Sequence, residues 1–387
     1  MKVFVIAGEA SGDKLGAALM AGLKQLRADV QFDGVGGPLM QAEGLTSRFP
    51  MDELSVMGLA EILPKYRALK ARIRQMADAV LKTKPDLLIT IDSPDFCLRV
   101  ARLVKAASDI RTVHYVAPTV WAWRPGRAQK MAAHIDHVLA LFPFEPPFME
   151  AAGMDCDFVG HPVVTDPIAT AEEAAELGSG TVVMVLPGSR KGEVSRLAGR
   201  FGDAVTRIAR RLPNAMFVIP TTAGVHDLVK ERVASWSVPD TVPVTVLDPA
   251  SSDKAAWFRR ADVALAASGT VSLELAANGT PMVIAYDMAW LSRMIISRLL
   301  RVDTVTLVNL VSDTRVVPEF IGANCVAGPI ADAVLEVLAD PQAQKAAMDL
   351  TMQRLGQGGK PPGLRAAEAV LQRAKQPAVK NHQANGQ

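Results

Sequence analysis

Two carboxylates follow a strongly apolar segment in the first third of the chain. The run Leu87–Ile91 has the composition of a buried strand, and it is followed by Asp92 and, across a proline, by Asp95. In an open α/β sheet, ligands bind at the carboxyl ends of the strands, so either acid is placed to act as a general base. The alternative is that they only cap a turn or a helix, as aspartates often do.

Three turns, each between an expected strand and an expected helix, are candidate anion sites. Small residues let backbone N–H groups approach a ligand, and a helix N-terminus favours negative charge. The candidates are Ser11, Gly12 and Asp13 in the first turn, Gly188, Ser189 and Arg190 in the second, and Ser268, Gly269 and Thr270 in the third. The first turn lacks the dinucleotide pattern G-x-G-x-x-G, and the second lacks the P-loop ending. Ordinary capped turns are the alternative.

The second and third turns together indicate a nucleotide diphosphate site. The guanidinium of Arg190 can donate two parallel hydrogen bonds to phosphate oxygens. Glu274 lies about one turn into the helix that follows the third turn, where its carboxylate can accept from two ribose hydroxyls. Because both turns lie in one half of the chain, we favour a shared nucleotide site over two unrelated caps.

Two further segments have unusual compositions. The segment HYVAPTVWAWRPGR at 114–127, where an expected strand at 112–116 leads into a loop, contains His114, Trp123 and Arg124, and aromatic rings beside arginine suit a sugar or an acyl phosphate. In segment 54–74 an apolar group precedes a basic helix, which is typical of an anionic membrane interface or a lipid entrance. The residues assigned to that surface are Met57, Leu59, Ile62, Leu63, Arg67 and Lys70. Loop packing and a core helix with a solvated charged face are the respective alternatives.

Strand-like and helix-like segments alternate through both halves of the chain, which predicts parallel sheets with crossover helices. We expect two Rossmann-like α/β domains, because 387 residues exceed the size at which a single core stops growing. The Pro- and Gly-rich stretch 158–167 marks the joint. The predicted divisions are 1–165, 166–345, terminal helices in 346–375 and a flexible tail in 376–387.

Composition excludes several functional classes. With 42 basic and 40 acidic residues the chain is too balanced for a nucleic-acid-binding protein. No apolar segment approaches the roughly 20 residues of a spanning helix, so we expect a soluble protein or one attached to a membrane surface. Three widely separated cysteines fit a reducing cytosol. No metal is expected, because the histidines show no tetrahedral spacing and DCD at 155–157 begins a strand rather than ending one.

Motifs along nearly the whole chain resemble those of the lipid-A-disaccharide synthase family of bacterial glycosyltransferases. The matching segments are AGEASGD (7–13), GVGGPLMQAEG (34–44), MGLAEIL (57–63), IDSPDF (91–96), HYVAPTVWAWRPGR (114–127), FPFE (142–145), VGHP (159–162), LPGSR (186–190) and ASGTVSLE (267–274). They occur in the family's order, and together they are far more specific than any one of them.

The resemblance implies the glycosyltransferase-B fold, with two Rossmann-like domains facing a cleft and C-terminal helices crossing back to the first domain. It also implies the reaction. UDP-2,3-diacylglucosamine donates its sugar to 2,3-diacylglucosamine 1-phosphate, giving a β(1→6) disaccharide 1-phosphate and UDP. The implied setting is the cytoplasmic face of the inner membrane, with peripheral attachment to its anionic surface and no cofactor or nucleic acid. A homodimer stays open.

The implied reaction inverts an α-linked donor and therefore needs one base, for which Asp92 is the first choice and Asp95 the second. Arg190 would stabilise the departing UDP, and Asn309, in the segment LVNL, joins the donor site by similarity. The rival functions are a UDP-sugar 2-epimerase, which uses no acceptor, and a binding protein that does not depend on Asp92. A dehydrogenase is disfavoured by the missing dinucleotide pattern.

Overall fold

The structure, a computed structural model, describes residues 1–54, 59–124, 126–288 and 302–374, and in 59–66 it describes the backbone alone. The chain divides into two compact α/β units. The first comprises Met1–Pro162 together with Gly358–Gln387, and the second comprises Val163–Gln357. The tail predicted for 376–387 lies outside the described residues. No described helix has the length and apolar character needed to cross a bilayer.

The first unit is built on a six-stranded parallel sheet of order β2-β1-β3-β4-β5-β6. Its strands are β1 Lys2–Ala7, β2 Gln31–Val35, β3 Leu87–Ile91, β4 Arg111–Tyr115, β5 His137–Ala140 and β6 Asp155–Phe158. Its helices are α1 Ala10–Leu26, α2 Pro38–Ala42, α3 Leu59–Thr83, α4 Pro94–Ala107, α5 Gly126–Ala132 and α6 Pro146–Glu150. The central strands β3, β4 and β5 are buried along their whole length, as expected for a parallel sheet covered on both faces.

The second unit repeats this plan with a parallel sheet of order β12-β11-β10-β7-β8-β9. Its strands are β7 Val182–Leu186, β8 Met216–Ile219, β9 Val244–Val246, β10 Val263–Ala266, β11 Met282–Tyr286 and β12 Glu319–Ile321. Its described helices are α7 Ala171–Ala175, α8 Lys191–Arg211, α9 His226–Val233, α10 Lys254–Arg260, α11 Val271–Ala277, α12 Leu307–Ser312, α13 Ala327–Ala339 and α14 Gln342–Arg354. The two parallel sheets confirm the predicted α/β class.

The last described helix, α15 (Pro362–Ala374), returns to the first unit and packs on α1. Glycines permit this close contact. A Cβ at Gly363 would stand 2.5 Å from the carbonyl oxygen of Ala18, and a Cβ at Gly22 would stand 2.7 Å from the carbonyl oxygen of Gly363. The two backbones therefore approach more closely than any larger residue would allow.

Charge pairs hold the other end of α15. Arg373 forms ion pairs with Asp155 and Asp157 of β6, at 3.3 and 3.1 Å. Burial raises the pKa of Asp157, but hydrogen bonds from His137 and Arg373 outweigh it and lower the pKa to about 2. Asp155 also pairs with Arg111 at 2.5 Å. Both acids of the DCD segment therefore bind basic side chains.

We expect Gly363→Ala to destabilise the protein by about 1–3 kcal/mol, because the added Cβ must push α15 away from α1. The free energy of unfolding in urea measures the change. Gly199→Ala is the matched control, since Gly199 lies in α8 with nothing within 4 Å of an added Cβ. Alanine there should stabilise the helix by about 0.5–1 kcal/mol. Equal effects of the two substitutions would show that α15 is not tightly packed.

Candidate active site

Asp92 lies in a strained turn at the carboxyl end of β3. Asp92 and Ser93 both have left-handed backbones, with φ of 52° and 42°. For residues other than glycine this conformation costs on the order of 1 kcal/mol or more each, and such strain persists where the surroundings enforce it. The carboxylate is held on both sides: Oδ1 accepts from the Ser93 N–H at 2.9 Å and Oδ2 from Ser11 Oγ at 3.1 Å. Asp92 is half-buried, so a substrate can still reach it.

Asp95 has a different setting. It is exposed in the first turn of α4, where the helix dipole favours a negative charge. Asp92, by contrast, comes together with Ser11, another candidate residue from 81 positions earlier in the chain. The geometry therefore favours Asp92 over Asp95 as the site residue, in the order that the sequence suggested.

In the first turn, the Asp13 carboxylate bonds to another part of the first unit. Asp13 is 3% exposed, and its carboxylate accepts from the backbone N–H groups of Gly37, Leu39 and Met40 at 2.8, 2.9 and 3.0 Å. These bonds satisfy the start of α2, so Asp13 has a capping role, and its assignment to the acceptor or phosphate stays a prediction. Gly12 is buried, and a Cβ there would lie 3.3 Å from the carbonyl oxygen of Ile91, so its role is close packing of α1 on β3.

His114 is buried within the first sheet. It lies within β4 at 2% exposure, and its Nδ1 is 2.8 Å from Thr90 Oγ1. Burial, with a smaller effect of His134, lowers the pKa of His114 to about 4. A neutral imidazole inside the sheet favours a packing role for His114, and its assignment to the acceptor site stays a prediction. The sequence predicts a strand at 112–116 that contains His114, and the observed strand β4 ends at Tyr115.

The loop after β4 does present Trp123 and Arg124 towards solvent. The Arg124 guanidinium stacks 4.4 Å from the centre of the Trp123 ring, and Trp123 Nε1 donates to Thr119 Oγ1 at 3.2 Å. Arg124 is exposed and has a left-handed backbone. A cationic group on an aromatic face at the carboxyl side of the sheet can bind a sugar phosphate, so both residues stay candidates.

Trp121 and Glu145 are a buried polar pair to which sequence reasoning gave no role. Trp121 Nε1 donates to Glu145 Oε1 at 3.4 Å, and the backbone N–H groups of Leu141 and Phe142 donate to Oε2 at 3.0 Å each. Burial raises the pKa of Glu145 to about 7, although those hydrogen bonds oppose the shift. Glu145 therefore ties the loop after β4 to the loop after β5. The sequence feature that could have indicated this pair is the motif FPFE (142–145), which follows β5.

A cavity of about 350 Å³ opens at the carboxyl side of the second sheet. It brings together residues from the second and third turns of the sequence prediction: Gly188, Ser189, Arg190, Ser268, Gly269, Thr270 and Glu274. Sequence reasoning missed other lining residues, among them Glu193, Pro220, Thr221, Thr222, Lys254 and Phe258. Several of these follow strand β8 or begin helix α10, so the general position rule for parallel sheets could have indicated them.

Glu193 changes the expected chemistry at the second turn. Its Oε2 accepts from the backbone N–H groups of Ser189 and Arg190 at 3.2 and 3.3 Å, and its Oε1 pairs with the Arg190 guanidinium at 3.1 Å. The N–H groups that we expected to meet phosphate are thus already used. The Arg190 side chain remains 65% exposed, so an anion at this turn would meet the guanidinium first.

Asn309 does not belong to this cavity. It is 1% exposed in α12, and both ends of its amide are used internally. Nδ2 donates to Val317 O at 3.0 Å and to Thr304 Oγ1 at 3.3 Å, and Oδ1 accepts from the Val317 N–H at 3.0 Å. The amide therefore joins α12 to the segment before β12, which gives Asn309 a structural role, and its assignment to the donor site stays a prediction.

Part of the expected lipid surface can be located. Arg67 and Lys70 are exposed on α3, whereas Met57 and the side chains of Leu59, Ile62 and Leu63 lie outside the described residues. Arg72 has an internal function: it pairs with Glu53 at 2.7 Å and stacks 4.5 Å from the centre of the Phe49 ring. Arg67 and Lys70 thus remain candidates for contact with an anionic surface.

Comparison with known proteins adds a family relationship. Residues 3–372 match the family described as lipid-A-disaccharide synthetase. The lipid-A-disaccharide synthase of Ruegeria pomeroyi is 63% identical over 382 residues, which cover 96% of this chain and 95% of that protein. The lipid-A-disaccharide synthase of Rhodospirillum centenum is 46% identical over 387 residues, which cover 95% of this chain and 94% of that protein.

Solved structures share the fold at much lower identity. A UDP-GlcNAc 2-epimerase from Neisseria meningitidis, bound to UDP-GlcNAc, has a TM-score of 0.61 at 11% identity and covers 96% of this chain and 99% of its own. MurG from Acinetobacter baumannii has a TM-score of 0.57 at 14% identity, and the match covers 96% of this chain and 99% of the MurG chain. With the two parallel sheets, these likenesses confirm the glycosyltransferase-B type of fold. At such identities they carry no more than the fold.

We expect Glu145→Gln to remove a pH dependence of stability. The folded state holds the pKa of this carboxyl at about 7, above its ordinary value of 4.5. The folded protein therefore binds more protons than the unfolded chain between these values, and wild-type stability falls as pH rises from 4.5 to 7. Between pH 5 and pH 8 the variant should gain about 1–3 kcal/mol relative to wild type in urea unfolding.

Glu150→Gln, at an exposed position in the same unit, is the control for losing a carboxylate in general. An equal pH-dependent gain in both variants would contradict the special environment of Glu145.

Proposed function

The chain belongs to the lipid-A-disaccharide synthetase family, and on that premise we propose that it joins two acylated glucosamine units. The donor is UDP-2,3-diacylglucosamine, the acceptor is 2,3-diacylglucosamine 1-phosphate, and the products are the β(1→6) disaccharide 1-phosphate and UDP. The family match over residues 3–372 supports the reaction. The main support for the donor site is the cavity in the second unit. Arg190 and Glu274, which come from two separate turns, both line this cavity.

The proposed donor site uses the complementary chemistry of those two side chains. Arg190 offers a planar cationic fork to the diphosphate, and Glu274 offers an anionic acceptor to the ribose hydroxyls. Ser268, Gly269 and Thr270 begin α11 between them. A volume of about 350 Å³ lies within the range of small-molecule sites, so it is compatible with a nucleotide.

The proposed acceptor chemistry belongs to the first unit. An α-linked donor and a β-linked product require a single displacement with inversion at the anomeric carbon. In this step Asp92 takes the proton of the acceptor 6-hydroxyl. The oxygen of that hydroxyl forms the new bond to the anomeric carbon, and the bond from that carbon to UDP breaks. Trp123 and Arg124 are the proposed contacts for the acceptor sugar and its phosphate. Ser11, which we first assigned to the same phosphate, bonds to Asp92 instead.

The departing UDP carries away the electrons of the broken bond. We expect the Arg190 guanidinium to stabilise that developing charge, so the proposal needs neither a bound metal nor a cofactor. Its pairing with Glu193 supports this arrangement, because the carboxylate holds the guanidinium at the entrance of the cavity until phosphate replaces it.

A membrane surface is the proposed location of the reaction, because both substrates carry two acyl chains. The exposed Arg67 and Lys70 on α3 support attachment to anionic lipid on the cytoplasmic face of the inner membrane. The apolar residues Leu59, Ile62 and Leu63 precede them on the same helix and are the proposed contacts for acyl chains.

An epimerase is the second candidate, because an epimerase bound to UDP-GlcNAc shares the fold. The two functions differ in their need for an acceptor. Purified protein incubated with both lipid substrates should give a disaccharide on thin-layer chromatography, and omission of the acceptor should leave the donor unchanged. Conversion of the donor sugar without acceptor would overturn the proposed function.

We expect Asp92→Asn to lower the turnover number by about 10²–10⁴-fold, the usual contribution of a general base. Asparagine tolerates the left-handed backbone of this turn, so the fold should survive. Affinity for UDP, measured by calorimetry, should not change, because the proposed nucleotide site is in the second unit. Asp95→Asn is the matched control and should be milder. Near-parental turnover of Asp92→Asn with both substrates saturating would transfer the role of base to another group.

We expect Glu274→Ala to weaken UDP binding by about 1–3 kcal/mol, because the ribose hydroxyls lose a charged acceptor. Calorimetric titration of UDP measures the loss directly. Glu231→Ala, which removes an exposed glutamate from α9 in the same unit, controls for the change in net charge. Equal affinities of all three proteins would remove Glu274 from the donor site.

Neutralising Arg67 and Lys70 to glutamine should lower the affinity for anionic vesicles, measured by sedimentation, about 30-fold, since each basic residue near such a surface contributes about 1 kcal/mol. Arg72 is left in place because it pairs with Glu53. The control replaces Lys230 and Arg232, two exposed basic residues of α9. If the two double variants sediment equally, α3 is not the attachment surface.

A further inference from the structure

The turns after β1 and β3 meet because these strands are neighbours in the first sheet. The pairing runs in parallel from Val3 with Leu87 to Ala7 with Ile91, so both strands end side by side. The next residue after β1 is Gly8, where an added Cβ would lie 2.6 Å from Ser93 Oγ and 3.0 Å from Ser93 Cβ. Glycine at this position therefore lets the turn after β1 reach the strained turn that carries Asp92.

Ser11 uses this closeness to contact the Asp92 carboxylate. Its Oγ donates to Oδ2 at 3.1 Å, while the Ser93 N–H donates to Oδ1 at 2.9 Å. With one donor on each oxygen, the plane of the carboxylate is fixed from two sides. Each carboxylate oxygen has about two acceptor positions, so one stays open on each for a substrate proton.

The direction of the bond from Ser11 also decides between two roles for its hydroxyl. Serine has one O–H donor, and here that donor points at Asp92. Only lone pairs are left for a substrate, and lone pairs do not bind the oxygens of a phosphate. The hydroxyl of Ser11 is therefore used by Asp92, and the phosphate-binding role that the sequence suggested stays with the backbone N–H groups of this turn.

We propose that Ser11 is a positioning residue that aims the open lone pair of Asp92 at the acceptor hydroxyl. This inference rests on the proposed function, in which Asp92 is the base. A general base must lie within hydrogen-bond reach of its proton, and a misplacement of about 1 Å can cost on the order of 10²-fold in rate. By fixing the plane of the Asp92 carboxylate, the single hydroxyl of Ser11 can therefore have a large effect on the reaction rate.

The test is steady-state kinetics of Ser11→Ala with both lipid substrates. The turnover number should fall about 10–100-fold, because the Asp92 carboxylate is no longer held in the orientation that accepts the proton. The KM for the acceptor should stay within about twofold, since Ser11 does not bind it in this proposal, and Ser11→Thr should restore most of the rate. Ser11 is exposed, so alanine should fold normally, and circular dichroism checks this. Ser235→Ala, which removes a surface hydroxyl bonded to Arg232 O, is the matched control.

The double variant separates positioning from a general structural role. In the Asp92→Asn background, Ser11→Ala should cause little further loss, because the base that it aims is already absent. The same fold-loss in both backgrounds would overturn the proposal, as would a raised acceptor KM with unchanged turnover. If Ser11→Ala alone is active while Asp92→Asn is inactive, the positioning role fails and the proposed function stands. If Asp92→Asn itself is active, the base assignment fails first.

Discussion

Parallel pairing of the strands is the constraint on which the rest of this protein depends. In a parallel sheet every strand ends at the same edge, so loops that are distant in sequence become neighbours there. The pairing of Ala7 with Ile91 brings the turn after β1 against the turn after β3, and the pairing of Ala266 with Leu186 does the same for the two turns that line the cavity of the second unit. Each candidate site is thus a consequence of strand register.

The carboxylates of the chain divide according to the partners that this architecture gives them. Asp13 caps α2, and Asp155 and Asp157 hold α15 through Arg373, so their charges are used to join elements. Asp92 has two donors and yet stays half-buried at a strand end, which leaves acceptor capacity for chemistry. A buried charge must be paired, whereas a charge at a sheet edge can be shared with a substrate.

Glu193 and Glu145 show two intermediate arrangements. Glu193 occupies the backbone N–H groups at the start of α8, where a diphosphate could replace it, and it also pairs with Arg190. Glu145 connects two loops from a buried position, and burial raises its pKa. Both carboxylates organise loops at the carboxyl edge of a sheet. The loops that carry Trp123 and Arg190 are therefore shaped by acids that need not touch a substrate.

The sequence by itself determined the two α/β units, the strand that ends just before Asp92 and the turns that line the cavity of the second unit, because these follow from local periodicity and turn chemistry. Tertiary structure alone decided which polar side chains are available. Asp13, His114 and Asn309 matched a motif or lay near a strand end, but each is buried, and the Asp13 carboxylate, the His114 Nδ1 and the Asn309 amide contact other protein groups. Whether a polar atom is available to a substrate depends on its bonding partners in the folded protein. Ser11 and Asp92 form such a pair although they are 81 positions apart, and local sequence patterns do not predict contacts over that separation.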